Sequence, residues 1–295
     1  MLIQKLSNNS IMSFGDSTHA LSDPLTKFQG LVRSLASYDG VAVAFSGGVD
    51  SSLVLYAAKE ALRDRVVAFI GISPLFPHRE LEQARIVAHA IGTELVEVEC
   101  DVLDVEKVAA NEPDRCYHCK RTILGRIKEL AKERGLEQVV DGNNADDVET
   151  GRQGIKAVVE TGTRSPLAEV GLTKGDIREL AMLFGLPSAD KPSSACLASR
   201  IPFGEPLTLK NLEQVDRAEE RLRDLGIGQM RVRHHGQIAR VEVGLMDISM
   251  VLLHREEIVN ALKEIGFTYV TLDLEGFRSG SMEEVVPQPA RTDQV

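Results

Sequence analysis

The run Val41-Ala42-Val43-Ala44-Phe45 leads directly into Ser46-Gly47-Gly48-Val49-Asp50-Ser51-Ser52, and Leu53-Val54-Leu55-Tyr56-Ala57-Ala58 follows. A short apolar run of this kind reads as a buried strand, and the segment after the turn reads as a helix. The Gly-rich turn therefore lies at a helix N-terminus, where unpaired backbone N–H groups and the helix dipole favour an anion. Two glycines allow close approach of backbone to a phosphate, and the hydroxyls of Ser46, Ser51 and Ser52 add donors. No Lys follows the second Gly, which excludes the Gly-x-x-x-x-Gly-Lys-Ser/Thr loop. An ordinary Ser/Gly turn is the plain alternative, and the strand–turn–helix order weighs against it.

Further elements repeat this alternation. A helical pattern over Leu25 to about Gly40 precedes the first strand, and Arg65 to Ile72 reads as the second. Glu80 to Ile91 reads as a helix, Glu94 to Glu99 as a strand, and about Cys119 to Arg134 as a helix capped by Gly135. Glu137 to Asp141 is a short strand opening onto Gly142-Asn143-Asn144-Ala145-Asp146-Asp147, and Lys174 to Phe184 is a further helix stopped by Gly185 and Pro187. Such alternation implies an α/β fold: a parallel sheet with helices on both faces and ligands at the carboxyl ends of the strands. The turns after Phe45, Ile72 and Val140 are expected to converge on one site.

After about Pro206 the pattern changes to a charged amphipathic helix over Leu207 to Leu225, strands at Met230 to Arg233 and Ala239 to Val243, a mostly helical Met246 to Ile265, and a strand at Thr268 to Asp273. The expected organisation is a flexible N-terminal arm over 1–24, an α/β domain over 25–206, a small α+β domain over 207–278 and a disordered tail over 279–295.

Composition narrows the function. With 34 Lys and Arg against 44 Asp and Glu, the formal charge is −10, which argues against a nucleic-acid partner. No apolar run approaches membrane-span length, and polar residues such as Asn8, Asn9, Ser10 and Asp16 leave no signal-peptide core, so a cytoplasmic location without membrane attachment is expected. Four cysteines in a reducing compartment read as catalytic or metal-binding more readily than as disulfides.

Arg115-Cys116-Tyr117-His118-Cys119-Lys120 places two thiols three positions apart at a helix start, a spacing that suits one shared metal, a redox pair or chance. Two cysteines do not complete a metal site. Lys191-Pro192-Ser193-Ser194-Ala195-Cys196-Leu197-Ala198-Ser199-Arg200-Ile201-Pro202 supplies a third thiol beside an arginine. Its two prolines disfavour a helix or central strand, so it reads either as an interdomain linker or as a cleft segment. Asp146 and Asp147 could hold Mg²⁺ or cap the following helix. Arg231 and Arg233 alternate on a strand and, with Arg200, form either an anion site or a solvated basic edge. His118 reads as flanking, His234 and His235 as solvated turn residues, and Glu220 as a surface ion-pair member.

Ser-Gly-Gly-x-Asp-Ser-Ser resembles the pyrophosphate-binding loop of the PP-loop ATP pyrophosphatases. Ser46 to Ser52, Arg115 to Lys120, Gly142 to Asp147 and Lys191 to Pro202 together resemble the LarE family, over roughly Leu25 to Arg278, and Ala195-Cys196-Leu197-Ala198-Ser199-Arg200 is the most specific part. The resemblance implies an ATP-dependent sulfur transferase. Such an enzyme converts pyridinium-3,5-biscarboxylic acid mononucleotide to its bisthiocarboxylic form, in making the nickel-pincer nucleotide of lactate racemase and related enzymes. It also implies ATP and Mg²⁺ as cofactors, catalytic Cys196, and ATP/pyrophosphate binding by Ser46, Gly47, Gly48, Asp50, Ser51 and Ser52. Asp146 and Asp147 become Mg²⁺ candidates, and Arg200, Arg231 and Arg233 candidates for the substrate's anionic groups. Cys116, Cys119 and Cys196 would hold a [4Fe-4S] cluster with one open iron, whereas members with a lone cysteine sacrifice its sulfur. Cys100 falls outside the motifs. The resemblance further implies a homo-oligomer supplied with sulfur as sulfide or by a protein donor.

Two other enzyme readings compete: a PP-loop tRNA thiolation enzyme, which can also use three cysteines and a cluster, and an amidating PP-loop enzyme, which has no use for the thiols. From another class, a non-catalytic nucleotide-binding module is disfavoured by the intact loop.

Overall fold

The computed structural model describes residues 23–150, 154–192 and 194–278. The expected arm over 1–24 lies almost wholly outside the described residues, and the expected tail over 279–295 lies entirely outside them.

Four strands, β1 (Val41–Ala44), β2 (Val66–Ile72), β3 (Glu94–Glu99) and β4 (Gln138–Val140), form a parallel sheet in the order β3-β2-β1-β4. Val41 is in register with Val66 of β2 on one side and with Gln138 of β4 on the other. Val41, Ala42 and Val43 are fully buried, which explains why β1 shows no polar alternation.

Period-two geometry sends successive side chains to opposite faces. Val41, Val43, Ala68 and Ile70 pack with Phe28, Leu31, Leu53, Ala57, Ile177 and Leu180, which come from the helices Pro24–Leu35, Val49–Leu62 and Lys174–Leu183. Ala42, Phe69 and Val139 pack on the other face with Ile127 and Ala131 of the helix Arg115–Glu133. This is the α/β arrangement expected from the alternation. The Arg115–Glu133 helix begins four residues before the expected Cys119, so Cys116 and Cys119 both lie in its first turns.

A second sheet of β5 (Met230–His235), β6 (Ile238–Val243) and β7 (Tyr269–Leu272) pairs β5 with β6 antiparallel and β6 with β7 parallel. A parallel pair requires a crossover, and the helices Ile248–Leu253 and Arg255–Ile265 carry the chain from β6 to β7. The expected single helical stretch from Met246 to Ile265 is thus two helices meeting at His254. His234 and His235 end β5, and His234 is buried against the Phe267 ring with Nε2 3.3 Å from Gln214 Oε1. A solvated turn role for His234 is therefore incorrect: the strand runs two residues further than expected and carries the ring into the core.

The helix Leu209–Asp224 serves both sheets. Leu212 and Val215 join the core under the first sheet, whereas Ala218 and Leu222 pack with Met230, Val232 and Val241 of the second. One helix with its two halves in different cores ties the two parts together.

Candidate active site

The order β3-β2-β1-β4 places the point where the chain reverses direction between β1 and β4, and such a crevice is where open α/β sheets bind ligands. The two loops that leave these strands meet there. A Cβ at Gly142, after β4, would stand 2.8 Å from Ser51 N and 3.0 Å from Ser51 Cα, so only glycine permits this approach. Gly47 has φ +69°, and a Cβ there would lie 2.8 Å from Ala84 Cβ of the helix His78–Ile91. The turn is thus fixed by glycine on two sides.

Gly48 is the N-cap of the helix Val49–Leu62 and offers no side chain to that helix's first N–H groups. The hydroxyls tighten the turn from within: Ser51 Oγ lies 3.1 Å from Ser46 Oγ and 3.2 Å from Gly48 O, and Ser52 Oγ donates to Gly48 O at 2.8 Å. Asp50 accepts from Asn144 Nδ2 at 3.2 Å and pairs with Lys174. Asp147 forms a capping box with Asn144. Asp146 accepts from Lys174 N at 2.8 Å through Oδ2, and its Oδ1 has no hydrogen-bond partner among the described residues. Of the two Mg²⁺ candidates, then, Asp147 caps its helix and Asp146 meets Lys174 N through Oδ2.

Two lysines at the ends of the cysteine motifs, to which the sequence assigns no role, link these loops to the cysteine segments. Lys191 Nζ donates to Gly47 O at 3.1 Å and pairs with Glu80 at 2.8 Å. Lys120, next to Cys119, pairs with the buried Asp141 at 3.0 Å and donates to Asn143 at 3.1 Å. Both are ordinary lysines in sequence terms; only the fold shows that they face the nucleotide loops.

The segment around Cys196 is docked, not a loose linker. Leu197 N donates to Leu75 O at 2.9 Å, and Asn111 Nδ2 donates to Pro202 O at 2.7 Å. Leu197, Ala198 and Ile201 enter the core beneath the sheet, while Cys196 stays exposed. Two separate segments bring thiols together here. Burial pushes the half-buried Cys119 thiol up to about 12, and the neighbouring thiols of Cys196, Cys116 and Cys100 add to the shift. The donor set is soft and suited to iron or another thiophilic metal. Among the described residues, no three His, Cys, Asp or Glu side chains are gathered tightly enough to hold a metal ion.

The arginines divide. Arg200 is 1% exposed and bidentate to Glu219 at 2.8 and 2.9 Å, with Nη1 donating to Ala195 O at 2.7 Å and Cys196 O at 3.0 Å. Arg233 is held by Glu242 at 2.7 and 3.0 Å and donates to Ser199 O at 2.9 Å. Both therefore brace the Cys196 turn. Arg231 differs: its guanidinium lies over the Phe277 ring at 5.1 Å, donates to Met230 O, and has no ion pair among the described residues. Burial, then Arg200 and Arg233, push it down to about 10. Glu219 on the helix Leu209–Asp224 and Glu242 on β6, the partners of Arg200 and Arg233, are not legible in the sequence because nothing local marks either glutamate as buried. His118 lies 3.2 Å from Asp114, which fits its expected flanking role.

The asparagine synthase family model matches residues 30–178, which span the first sheet and its nucleotide loops. A pyridinium-3,5-bisthiocarboxylic acid mononucleotide synthase of Lactiplantibacillus plantarum is 39% identical over 88% of this chain and 95% of its own length. The chain belongs to the LarE family. Two uncharacterized proteins are also similar to this LarE chain: one of Synechocystis, 39% identical over 88% of the chain and 98% of its own, and one of Methanocaldococcus jannaschii, 30% identical over 81% and 91%. LarE membership thus covers both sheets, whereas the broader PP-loop likeness ends near residue 178. Among the described residues of this LarE chain, no helix is long and apolar enough to cross a membrane.

Proposed function

We propose that this protein adenylates the carboxylates of pyridinium-3,5-biscarboxylic acid mononucleotide with ATP and replaces the activated oxygen by sulfur, giving thiocarboxylates for nickel-pincer nucleotide synthesis. One observation carries the reading: the cysteine-bearing segment and the phosphate-type loop are joined directly, through Lys191 on Gly47 O, at the loop that leaves β1.

A carboxylate resists sulfur attack because oxide is a poor leaving group and the carbon is electron-rich. Transfer of AMP to the carboxylate oxygen makes that oxygen part of a good leaving group and releases pyrophosphate. The uncapped N–H groups after Gly48, with Ser46, Ser51 and Ser52, receive the pyrophosphate. Asp146 and Asp147, in the loop after β4, are the side chains that would hold Mg²⁺, which would offset the phosphate charge. Arg231 is the free guanidinium for the mononucleotide's phosphate or second carboxylate. Arg200 and Arg233 act by holding the Cys196 turn in place.

Cys116, Cys119 and Cys196 are the residues that would hold a [4Fe-4S] cluster, which supplies an open iron able to carry an extra sulfide. Cys196 is the exposed thiol of the docked segment, and in this reading it is the one that meets the activated carbonyl. Cytoplasmic location and a homo-oligomeric state belong to the same reading.

The test is pyrophosphate release from ATP, measured with the pyridinium mononucleotide and separately with tRNA. Release stimulated by the mononucleotide alone is expected. Stimulation by tRNA alone would transfer the protein to the tRNA thiolation enzymes, and release without either acceptor would remove the acceptor assignment.

A further inference from the structure

The helix Arg115–Glu133 is charged against the rest of the chain. Between Arg115 and Arg134 there are seven Lys or Arg and two Glu, in a protein whose formal charge is −10. Both glutamates lie on the Arg126 side: Glu129 pairs with Arg126 at 2.9 Å, and Glu133 acts on the same guanidinium. Arg121, Gly125, Lys128 and Lys132 fall at i, i+4, i+7 and i+11, which is one face of a helix. The three cations of this row are exposed, and none pairs with a carboxylate among the described residues. Arg121 and Lys128 meet neutral acceptors, Tyr117 Oη at 3.3 Å and Thr161 O at 2.7 Å. A fourth exposed cation, Lys156 of the helix Gly154–Thr161, stands beside the row, 5.2 Å from the Tyr117 ring that Arg121 also faces. Its carboxylate neighbour Glu160, at 3.9 Å, is taken by Tyr117 Oη at 2.5 Å.

Gly125 adds an independent observation. It sits within a 19-residue helix, where glycine costs about 1 kcal/mol relative to alanine. Packing does not demand it, since a Cβ there would meet nothing within 4 Å. Its effect is to leave bare backbone at the centre of a basic row, a notch that admits another molecule's side chain. From Arg121 to Lys132 the row runs about 17 Å along the helix axis.

Charge selects the occupant. The chain as a whole repels a long polyanion, whereas separate cations around a notch match discrete carboxylates on a folded protein. The row begins five residues after the exposed Cys116, so a protein seated on it reaches the cysteine pair. We propose that the Arg121–Lys132 face is a docking surface for a small acidic protein, of ferredoxin size and charge, whose carboxylates meet Arg121, Lys128, Lys132 and Lys156 while one of its side chains fills the space at Gly125. The inference rests on the sulfur-transferase reading only for the use made of the thiols.

The test is calorimetric titration of the reduced full chain, under anaerobic conditions, with an oxidised acidic ferredoxin at low and at physiological salt. Basic cytochrome c and tRNA serve as separate probes. Saturable one-to-one binding of the ferredoxin is expected, weakened about tenfold or more by the added salt because the paired charges are exposed. The double variant Arg121→Glu with Lys132→Glu should weaken it about tenfold or more at low salt. Gly125→Gln should raise the unfolding midpoint, since glutamine is the better helix former, and still weaken ferredoxin binding several-fold; a glycine with a merely structural role gives no such split. No saturable binding by the unaltered chain, equal binding of cytochrome c, or unchanged affinity in the double variant or in Gly125→Gln would each overturn the proposal. Binding of tRNA in place of ferredoxin, lost in the double variant, would overturn it in favour of nucleic acid. The altered residues lie outside the nucleotide loops and the arginines assigned to the mononucleotide, so pyrophosphate release should be unchanged in these variants, and the two readings stand or fall separately.

Discussion

Arg200 and Glu219 face each other through two parallel hydrogen bonds of 2.8 and 2.9 Å, both side chains almost fully buried. The pair joins the turn after Cys196 to the helix Leu209–Asp224, and Glu219 Oε1 also accepts from Val232 N of β5 at 3.2 Å. One carboxylate therefore fixes the cysteine turn, a helix that serves both cores and the strand that carries Arg231. A bidentate buried pair contributes geometry more reliably than stability, but breaking one side leaves the other charge uncompensated.

Glu219→Gln should accordingly destabilise the fold by about 3–5 kcal/mol, the range for removing one partner of a buried ion pair. Denaturant unfolding followed by circular dichroism would show a lower midpoint with an unchanged slope. A change below about 1 kcal/mol, the value of an exposed pair, would mean that the Arg200–Glu219 contact is not closed to solvent.

Gly142→Ala tests whether the loops after β1 and β4 form one surface. The added Cβ would meet backbone atoms of Ser51 at 2.8 and 3.0 Å, and no side-chain rotation relieves a backbone collision. The start of the helix Val49–Leu62 must then shift. Displacement of order 1 Å at a reacting group costs about 100-fold in rate, so pyrophosphate release should fall by that order while the far-UV spectrum is preserved. Ser51→Ala and Asp50→Asn should lose release at the same loop without any steric change. Full activity in Gly142→Ala would separate the two loops.

The first sheet and its nucleotide loop were legible because β1 is buried on both faces and reads as a continuous apolar run, and because Gly47 and Gly48 are required by local geometry. The turns of the charged segments were less so. Arg200, Arg231 and Arg233 look alike in sequence; their difference depends on Glu219 and Glu242, which approach from a helix and a neighbouring strand. His-His-Gly resembles a solvated turn in sequence, and the two extra residues of β5, His234 and His235, come from pairing with Ala239 and Ile238. Lys120 and Lys191 fall within the two cysteine motifs, yet nothing local gives them partners. Long-range contacts decide such residues, and one chain's sequence does not display them.

Cys100 should behave as a buried structural thiol. It follows β3, donates weakly to Val98 O at 3.4 Å, and burial pushes its ionisation up to about 11 from the ordinary value of 9.0. The neutral form is favoured in the folded chain, so its contribution to stability is complete below pH 9 and is lost as pH rises from 9 towards 11. At neutral pH, iodoacetamide should modify the exposed Cys116 and Cys196 well before Cys100, as read by peptide mass spectrometry. Cys100→Ala should flatten part of the alkaline loss of stability. Rapid labelling of Cys100 in the native protein would contradict its burial.

The last prediction separates two ways of supplying sulfur. Cys119 neighbours both Cys116, three positions earlier, and Cys196, which arrives on a different segment. Joint ligation would require the two segments to draw these thiols together, because metal–thiolate bonds are about 2.3 Å long and among the described residues no three such side chains are gathered tightly enough to hold a metal ion. If the three thiols act together, Cys116→Ala should remove most of the iron-dependent absorbance after anaerobic reconstitution and end multiple turnover. The mass of Cys196 should then be unchanged after reaction with ATP and the mononucleotide. A sacrificial mechanism gives the reverse: Cys116→Ala still completes one sulfur transfer, and Cys196 alone loses the mass of one H₂S as it becomes dehydroalanine. Intact mass spectrometry distinguishes them in one experiment. The joint reading is favoured because Lys120 ties the cysteine helix to Asp141 while Asn111 and Arg200 hold the Cys196 turn. A lone sacrificial thiol would need only the second of these supports.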